Sequence, residues 1–404
     1  MQQADWIIEN VNLATMQNNG EPFGKIENAL LAVHNKRITW LGKRDQAPVF
    51  NNANRVDGHN GWLTPGFIDC HTHLVYAGHR ADEFEQRLQG ISYAEIAQHG
   101  GGINNTVTAT RKASSDILKR DALSRLRQLC KEGVTTVEIK SGYGLDLDTE
   151  LRMLEVAKSL QDQIQVKVQT TYLGAHAIPL EYKEHADDYI DFICEQVLPQ
   201  IARKKLADAV DVFCEDIGFN LQQCEKVYQS ASDLGFRVKG HVEQLSHQGG
   251  ATLIAKYNGL SADHLEFIRI EEIKMLKQNN VVAVLLPAAF YYLNEPQKPP
   301  IKAMRNAKLA MAVATDCNPG SAPMASLLLA MNQACVLFGL TPEESMLGVT
   351  RHAAQALALN QCKGILKSGY DADLVLWDIA HPNQLSYSIN MHSPRDIWVG
   401  GQHV

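Results

Sequence analysis

From residue 63 to residue 359, extended runs alternate with helical stretches. The runs fall at 66–70, 134–139, 166–171, 209–213, 236–240, 260–262, 281–286 and 312–315, and helical stretches include 115–132, 149–161, 270–278 and 342–359. A chain that repeats β-loop-α units has few architectures open to it: a closed parallel barrel, or an open doubly wound sheet as its rival. Eight such strands in succession point to the barrel, in which every strand ends on one common face. The polar residues stand at those ends. His71 and His73 follow Phe67-Ile68-Asp69, and His176 follows the run through Gly174. His241 follows Val238-Lys239-Gly240, His264 follows Leu260-Ser261-Ala262-Asp263, and Asp316 follows Val313-Ala314-Thr315. Residues far apart in the chain are thereby expected in one small site.

The two ends have another texture. Residues 6–13, 29–33 and 37–41 read as short strands, with turns at Asn18-Asn19-Gly20 and His34-Asn35-Lys36. Residues 372–377 read as a further strand, between Lys367-Ser368-Gly369-Tyr370 and Pro382-Asn383. The ends are either independent caps or, since termini often lie near each other, one small β domain.

With 404 residues, 45% of them hydrophobic, the chain suffices for a barrel-sized core plus roughly a hundred residues more. Its cysteines are scattered at Cys70, Cys130, Cys194, Cys214, Cys224, Cys317, Cys335 and Cys362 without a CxxC pair, and read as reduced thiols. The opening MQQADWIIEN lacks the basic and apolar regions of an export signal, so a cytoplasmic location is expected. No apolar stretch approaches the ~20 residues of a membrane span, and the nearest, 281–292, contains Pro287. A formal net charge of -7 argues against broad binding to nucleic-acid backbones.

His71-Thr72-His73 places two imidazoles at alternate positions just past a strand, which suits two ligands on one ion. Histidines also serve as ordinary hydrogen-bonding residues, so this pair alone is weak. His241 and Asp316 complete three nitrogens and one oxygen, a set suited to zinc or iron. A closed structural site remains open, but a carboxylate at a barrel mouth favours chemistry: Asp316 is placed to accept a proton from a metal-activated water. His264 is a candidate to polarise a substrate carbonyl or orient the water, or else a structural histidine.

At this point the sequence resembles the amidohydrolase superfamily. The resemblance rests on Pro65-Gly66-Phe67-Ile68-Asp69-Cys70-His71-Thr72-His73 and Ala314-Thr315-Asp316. It rests more narrowly on Val137-Glu138-Ile139-Lys140-Ser141-Gly142-Tyr143-Gly144, Thr171-Tyr172-Leu173-Gly174-Ala175-His176 and Asp316-Cys317-Asn318-Pro319-Gly320-Ser321. It spans practically the whole chain. It implies an α/β fold with a (β/α)8 TIM-like barrel at 63–360 and a small composite β-sandwich domain from 1–62 and 361–404. It implies one divalent ion per subunit, Zn(2+) or Fe(2+), on His71, His73, His241 and Asp316, with Asp316 and His264 catalytic. Lys140 is not expected to be a carbamylated bridging ligand, because the branch resembled uses a single metal.

The resemblance also assigns substrate contacts to Arg80, Tyr143, His176 and Gln244, with Asn318, Gly320 and Ser321 nearer the metal. Some relatives carry glutamate where Gln244 stands, which weakens an essential acid there. The substrate class implied is a small planar cyclic amide with a carboxylate tail. Arg80 offers that tail a rigid fork, with a surface ion pair as its alternative role. Tyr143 offers a hydroxyl and an aromatic wall, or simple packing. His176 and Gln244 offer polar partners for ring or tail. Gly320 permits close backbone approach, and Asn318 and Ser321 offer short polar contacts, although Asn-Pro-Gly-Ser is also ordinary turn vocabulary. The expected reaction is ring-opening hydrolysis by a homodimer, with no nucleotide or nicotinamide. A heterocycle deaminase, another cyclic amidohydrolase and a catalytically silent metal-binding scaffold are the alternatives.

Overall fold

A computed structural model describes residues 3–91 and 101–404; Met1 and Gln2, at the start of the expected terminal unit, lie outside them. The chain opens with β1 (Trp6–Ala14), β2 (Lys25–His34), β3 (Arg37–Lys43), β4 (Asn54–Asp57) and β5 (Trp62–Pro65). Eight strands follow: β6 (Phe67–Asp69), β7 (Val134–Lys140), β8 (Lys167–Ala175), β9 (Ala209–Cys214), β10 (Arg237–Val242), β11 (Ser261–His264), β12 (Val282–Leu285) and β13 (Met311–Val313). The chain closes with β14 (Leu374–Trp377), β15 (Pro394–Val399) and β16 (Gln402–His403).

Strands β6 to β13 lie side by side in chain order, all parallel. Consecutive order rules out the doubly wound rival, whose strand order reverses at its midpoint. Every residue of β6, β7, β11, β12 and β13 is buried, as expected where helices cover a sheet outside and side chains fill it inside. The seam between first and last strand closes just beyond their ends. Thr72 bridges Cys317 in parallel, the Asp316 N–H donates to the His71 carbonyl at 3.0 Å, and the His73 N–H donates to the Cys317 carbonyl at 3.0 Å.

The remaining strands form one mixed sheet in the order β16-β15-β14-β5-β1-β2-β3, with β4 beside β1. The two ends of the chain therefore share one sheet, which decides against independent caps. Asn35 and Lys36, with φ of 50° and 68°, give the β2–β3 hairpin the left-handed two-residue turn that matches strand twist. Alternate residues of strands from both ends, including Ile8, Leu13, Leu31, Leu63, Leu374 and Trp398, bury a common core. Trp377 joins this sheet to the barrel: its ring stacks on Phe67 at 5.5 Å, and its indole N–H donates to Thr64 Oγ1 at 3.1 Å.

The helical expectation at 342–359 needs a correction: two helices stand there, Pro342–Gly348 and Arg351–Ala356. The break has a cause in the barrel. The Val349 carbonyl accepts the Ile68 N–H at 2.8 Å and is lost to the helix.

Inside the barrel, under the mouth, lies a fully buried layer of charge. Lys140 Nζ reaches Glu138 Oε1 at 2.8 Å and Asp211 Oδ2 at 2.7 Å, and stands 3.8 Å from Asp263 Oδ2. Lys239 Nζ shares Glu138 Oε1 at 2.9 Å and donates to the Cys70 carbonyl at 3.1 Å. Burial would raise the Glu138 carboxyl, but Lys140 and Lys239 outweigh it and hold the group ionised. With its ammonium spent on carboxylates, Lys140 is structural here. Replacing Lys140 with Met should cost about 3–5 kcal/mol of folding free energy, because it leaves the buried Asp211 carboxylate without its lysine and Glu138 with only one of its two. Denaturant unfolding of the variant checks this, and a loss under about 1 kcal/mol would show that the layer carries no such charge.

Candidate metal centre and cavity

The barrel seam delivers His71, His73 and Asp316 to one point because their own backbones close it. Asp69 locks the approach, accepting from Thr315 Oγ1 at 2.6 Å and from its N–H at 3.2 Å. Asp316 then turns through a left-handed backbone, φ 54°, which a short polar side chain tolerates.

Two of the three imidazoles are aimed by carboxylates of the charged layer. His71 Nδ1 lies 2.6 Å from Asp263 Oδ2, and His241 Nδ1 lies 3.0 Å from Asp211 Oδ1. With the proton on Nδ1 in each ring, the lone pairs of Nε2 face inward. His71 Nε2 and His73 Nε2 stand 3.3 and 3.4 Å from Asp316 Oδ1, and His241 Nε2 stands 3.4 Å from His73 Nε2. Two trios share His71: one with His73 and Asp316, the other with His241 and His264, and within each all ligand atoms lie within 4.8 Å of one another. His71 Nε2 is buried without a hydrogen-bond partner. Converging lone pairs, an orphaned nitrogen and a buried carboxylate fit a divalent cation, and these donor atoms are of the kind zinc and ferrous iron take.

The chain contains a useful contrast. Glu243, His247 and Glu272 also cluster within 4.8 Å. Their atoms are already spent: Glu243 accepts the Gln248 and Ala251 N–H groups, and Glu272 accepts from Thr252, Arg269 and His247. That trio holds a loop and a helix start.

A cavity of about 510 Å³ opens above the first cluster. It is lined by His73, His241, His264 and Asp316 and also by Arg80, Tyr143, His176, Gln244, Asn318, Gly320 and Ser321, so every site residue expected from sequence faces it except His71, which lies beneath. Burial raises the Asp316 carboxyl, but contacts with His71 and His73 outweigh it and hold the group well below the usual carboxylate range. Burial pushes His264 down to about 3 and His176 well below its ordinary value, so both rings are neutral near pH 7. His176 Nδ1 sits 3.0 Å from the Gly142 carbonyl, which fixes its proton there and leaves an Nε2 lone pair for a donor.

Two buried carboxylates set the cavity loops. Glu150 accepts the N–H groups of Gly142, Gly144 and Leu145 at 2.8–3.2 Å, which holds Tyr143 between them. Glu215 accepts the Gln244 and Leu245 N–H groups at 2.7 and 3.0 Å. The Asn318 side chain is spent within its own turn. Its Nδ2 donates to the Asp316 carbonyl and Ser321 Oγ at 2.7 and 2.9 Å, and its Oδ1 accepts the Gly320 and Ser321 N–H groups, each at 2.8 Å. Arg80 does make an ion pair, with Glu83 at 2.9 Å, but in the cavity wall and not on the open surface.

Asp211, Asp263, Glu150, Glu215 and Glu83 join the site only through contacts visible in the structure. Asp211 did carry a signal, as the one charge in the otherwise apolar Ala209–Cys214. Asp263 stood in plain view beside His264, but nothing in spacing ties it to His71, 192 residues away.

Residues 62–404 match the amidohydrolase family. Over 99% of both chains the protein is 52% identical to an imidazolonepropionase of Pseudoalteromonas atlantica and 53% identical to one of Alteromonas mediterranea. An imidazolonepropionase of Ralstonia nicotianae is 52% identical over 96% of this chain and 95% of its own. Among solved structures, a zinc-bound adenosine deaminase of Xanthomonas campestris superposes with a TM-score of 0.70 over 100% of this chain and 93% of its own, at 18% identity. A 5-methylcytosine deaminase of Klebsiella pneumoniae does so with a TM-score of 0.73 over 98% and 97%, at 14% identity. Those two likenesses speak to the fold. The agreement in sequence covers practically the whole chain, and by it the chain belongs to the amidohydrolase family, in its imidazolonepropionase branch.

Proposed function

We infer that the protein hydrolyses the cyclic amide of 4-imidazolone-5-propanoate to N-formimidoyl-L-glutamate, the ring-opening step of L-histidine degradation. The observation that carries this reading is near-full-length identity of 50–53% to imidazolonepropionases, joined to a cavity that holds a metal-capable cluster and an arginine together. The test is direct: incubate the metal-loaded protein with this substrate and identify the product by mass spectrometry. N-formimidoyl-L-glutamate is expected. Ammonia release would favour a deaminase, and absence of turnover would favour a binding scaffold.

In this reading His71, His73, His241 and Asp316 hold one Zn(2+) or Fe(2+) per subunit. Such an ion supplies Lewis acidity, lowering the pKa of water and polarising a carbonyl. Asp316, ionised at neutral pH, takes the proton of the attacking water and relays it to the departing ring nitrogen. Neutral His264 hydrogen-bonds the carbonyl oxygen as negative charge develops there. Arg80 grips the propionate, while the His176 lone pair and the Gln244 amide take polar atoms of ring or tail. Tyr143 walls the ring, and the Asn318–Gly320–Ser321 turn shapes the floor beside Asp316. The same reading makes the protein a cytoplasmic homodimer, divided between 63–360 and a composite unit of 1–62 with 361–404. Among the described residues no helix is long and apolar enough to cross a membrane.

Three outcomes are expected. Replacing His71, His73 or His241 with Ala removes a directional nitrogen and should lower both bound metal and turnover in folded protein; unchanged metal content and rate in all three would dismiss the centre. Asp316→Asn should retain more metal than these variants yet lose turnover. Arg80→Lys keeps the charge but loses the planar fork, and Arg80→Ala loses both. Their kcat/KM for the carboxylated ring should fall, by roughly 10- to 100-fold for Ala and less for Lys, with metal content unchanged. Wild-type kcat/KM in both would release Arg80 from this role.

A further inference from the structure

Arginine has two hydrogen-bonding edges, one through Nε and one between its terminal nitrogens, and a flexible side chain that can turn either toward a ligand. In this cavity the choice is made by neighbours. Arg80 begins the helix Ala81–Leu88, whose first turn carries Glu83, a placement that favours an acidic residue. Glu83 Oε2 takes the Arg80 Nε–H at 2.9 Å. Its other oxygen, Oε1, is itself pinned by the Gly102 N–H at 3.0 Å and by Asn105 Nδ2 at 3.4 Å. Both partners are largely buried, with side chains 12% and 13% exposed.

The terminal edge is fixed from the other side. A Cβ built on Gly320 would fall 1.9 Å from Arg80 Nη1 and 2.9 Å from Cζ, so the guanidinium occupies the space that any side chain at 320 would fill. Gly320 in turn is held by Asn318, whose Nδ2 donates to the Asp316 carbonyl. Among the described residues no protein acceptor takes the terminal nitrogens of Arg80. A pinned carboxylate on one edge, a bare glycine under one tip and a terminal edge with no acceptor among the described residues describe an arginine held ready for an oxyanion.

We propose that Glu83 is the positioning residue that aims Arg80, consuming its Nε edge so that only the terminal edge meets a carboxylate tail at a fixed distance from Asp316. The proposal rests on Arg80 being the tail clamp. Glu83 does not touch the substrate; it lowers the number of guanidinium orientations that binding must freeze out.

The test uses the full-length, metal-loaded protein as Glu83→Ala, Glu83→Gln, Arg80→Ala and the double variant Arg80→Ala/Glu83→Ala. Glu83→Ala should raise KM for 4-imidazolone-5-propanoate by roughly tenfold with a smaller change in kcat, and should leave a ring analogue lacking the carboxylate unaffected. Glu83→Gln, isosteric and still an acceptor for Nε–H, should recover most of the loss. In the Arg80→Ala background, removing Glu83 should add nothing, since it acts only through that arginine. Wild-type KM in Glu83→Ala beside an impaired Arg80→Ala overturns the proposal and leaves the clamp standing. Equal loss on the tail-less analogue, or full additivity in the double variant, also overturns it by assigning Glu83 to structure alone. A silent Arg80→Ala removes the clamp itself and the proposal with it.

Discussion

The site depends on a charge that does not cancel. Glu138, Asp211 and Asp263 face Lys140 and Lys239 inside the barrel, all fully buried. Three carboxylates against two ammonium groups leave one negative charge, and ionised Asp316 above them makes two. A low-dielectric interior does not tolerate such an excess unless a cation sits close. Burial works against a charged His71, yet Asp263 and Asp316 hold that ring above its ordinary value, so it takes up part of the excess, and a dication among the ring nitrogens would balance the rest. The same carboxylates that create the excess hold Nδ1 of His71 and His241, so charge and ligand direction come from one set of residues.

Part of the backbone strain in the fold lies around this set. Asp316, His264, Leu265 and Glu243 all take positive φ at or just past the ends of strands, a conformation that costs L-residues energy and persists only where neighbours enforce it. Here the enforcing groups are visible: the seam hydrogen bonds at Asp316, and the Gln248 and Ala251 N–H groups on Glu243. The left-handed turns redirect chain that would otherwise run straight out of the barrel, keeping side chains at the mouth.

Much of this was legible in the sequence because barrel topology converts position along a strand into position in space. His71, His73, His241 and Asp316 could be brought together from strand ends alone, and the strands of both termini could be suspected of pairing. What was not legible were partners chosen by depth. Glu138, Asp211 and Lys239 lie within strands that read as ordinary extended segments, and only the inward-facing alternation of a closed barrel makes them neighbours. The helix break after Gly348 was hidden for a related reason: nothing local announces that β6 will claim the Val349 carbonyl. Glu83 was overlooked because an acidic residue in the first turn of a helix is ordinary, and only the contacts of Arg80 with Gly320 give it a further meaning.

The mixed sheet has a consequence for how the protein is made. β5 pairs with β1 on one side and with β14 on the other, and the hydrogen bond between Thr64 and Trp377 spans 313 residues. On a ribosome adding about 5–20 residues per second, β5 waits roughly 15–60 s for the strand that covers its open edge. Throughout that interval the nascent chain presents an unpaired strand edge and half of an apolar core, while the barrel assembles behind it. Long-range pairing of this kind slows the final step of folding and leaves edges free to meet other chains. The period of greatest exposure to aggregation thus falls during translation, and it ends only when the last strands of the polypeptide reach the first.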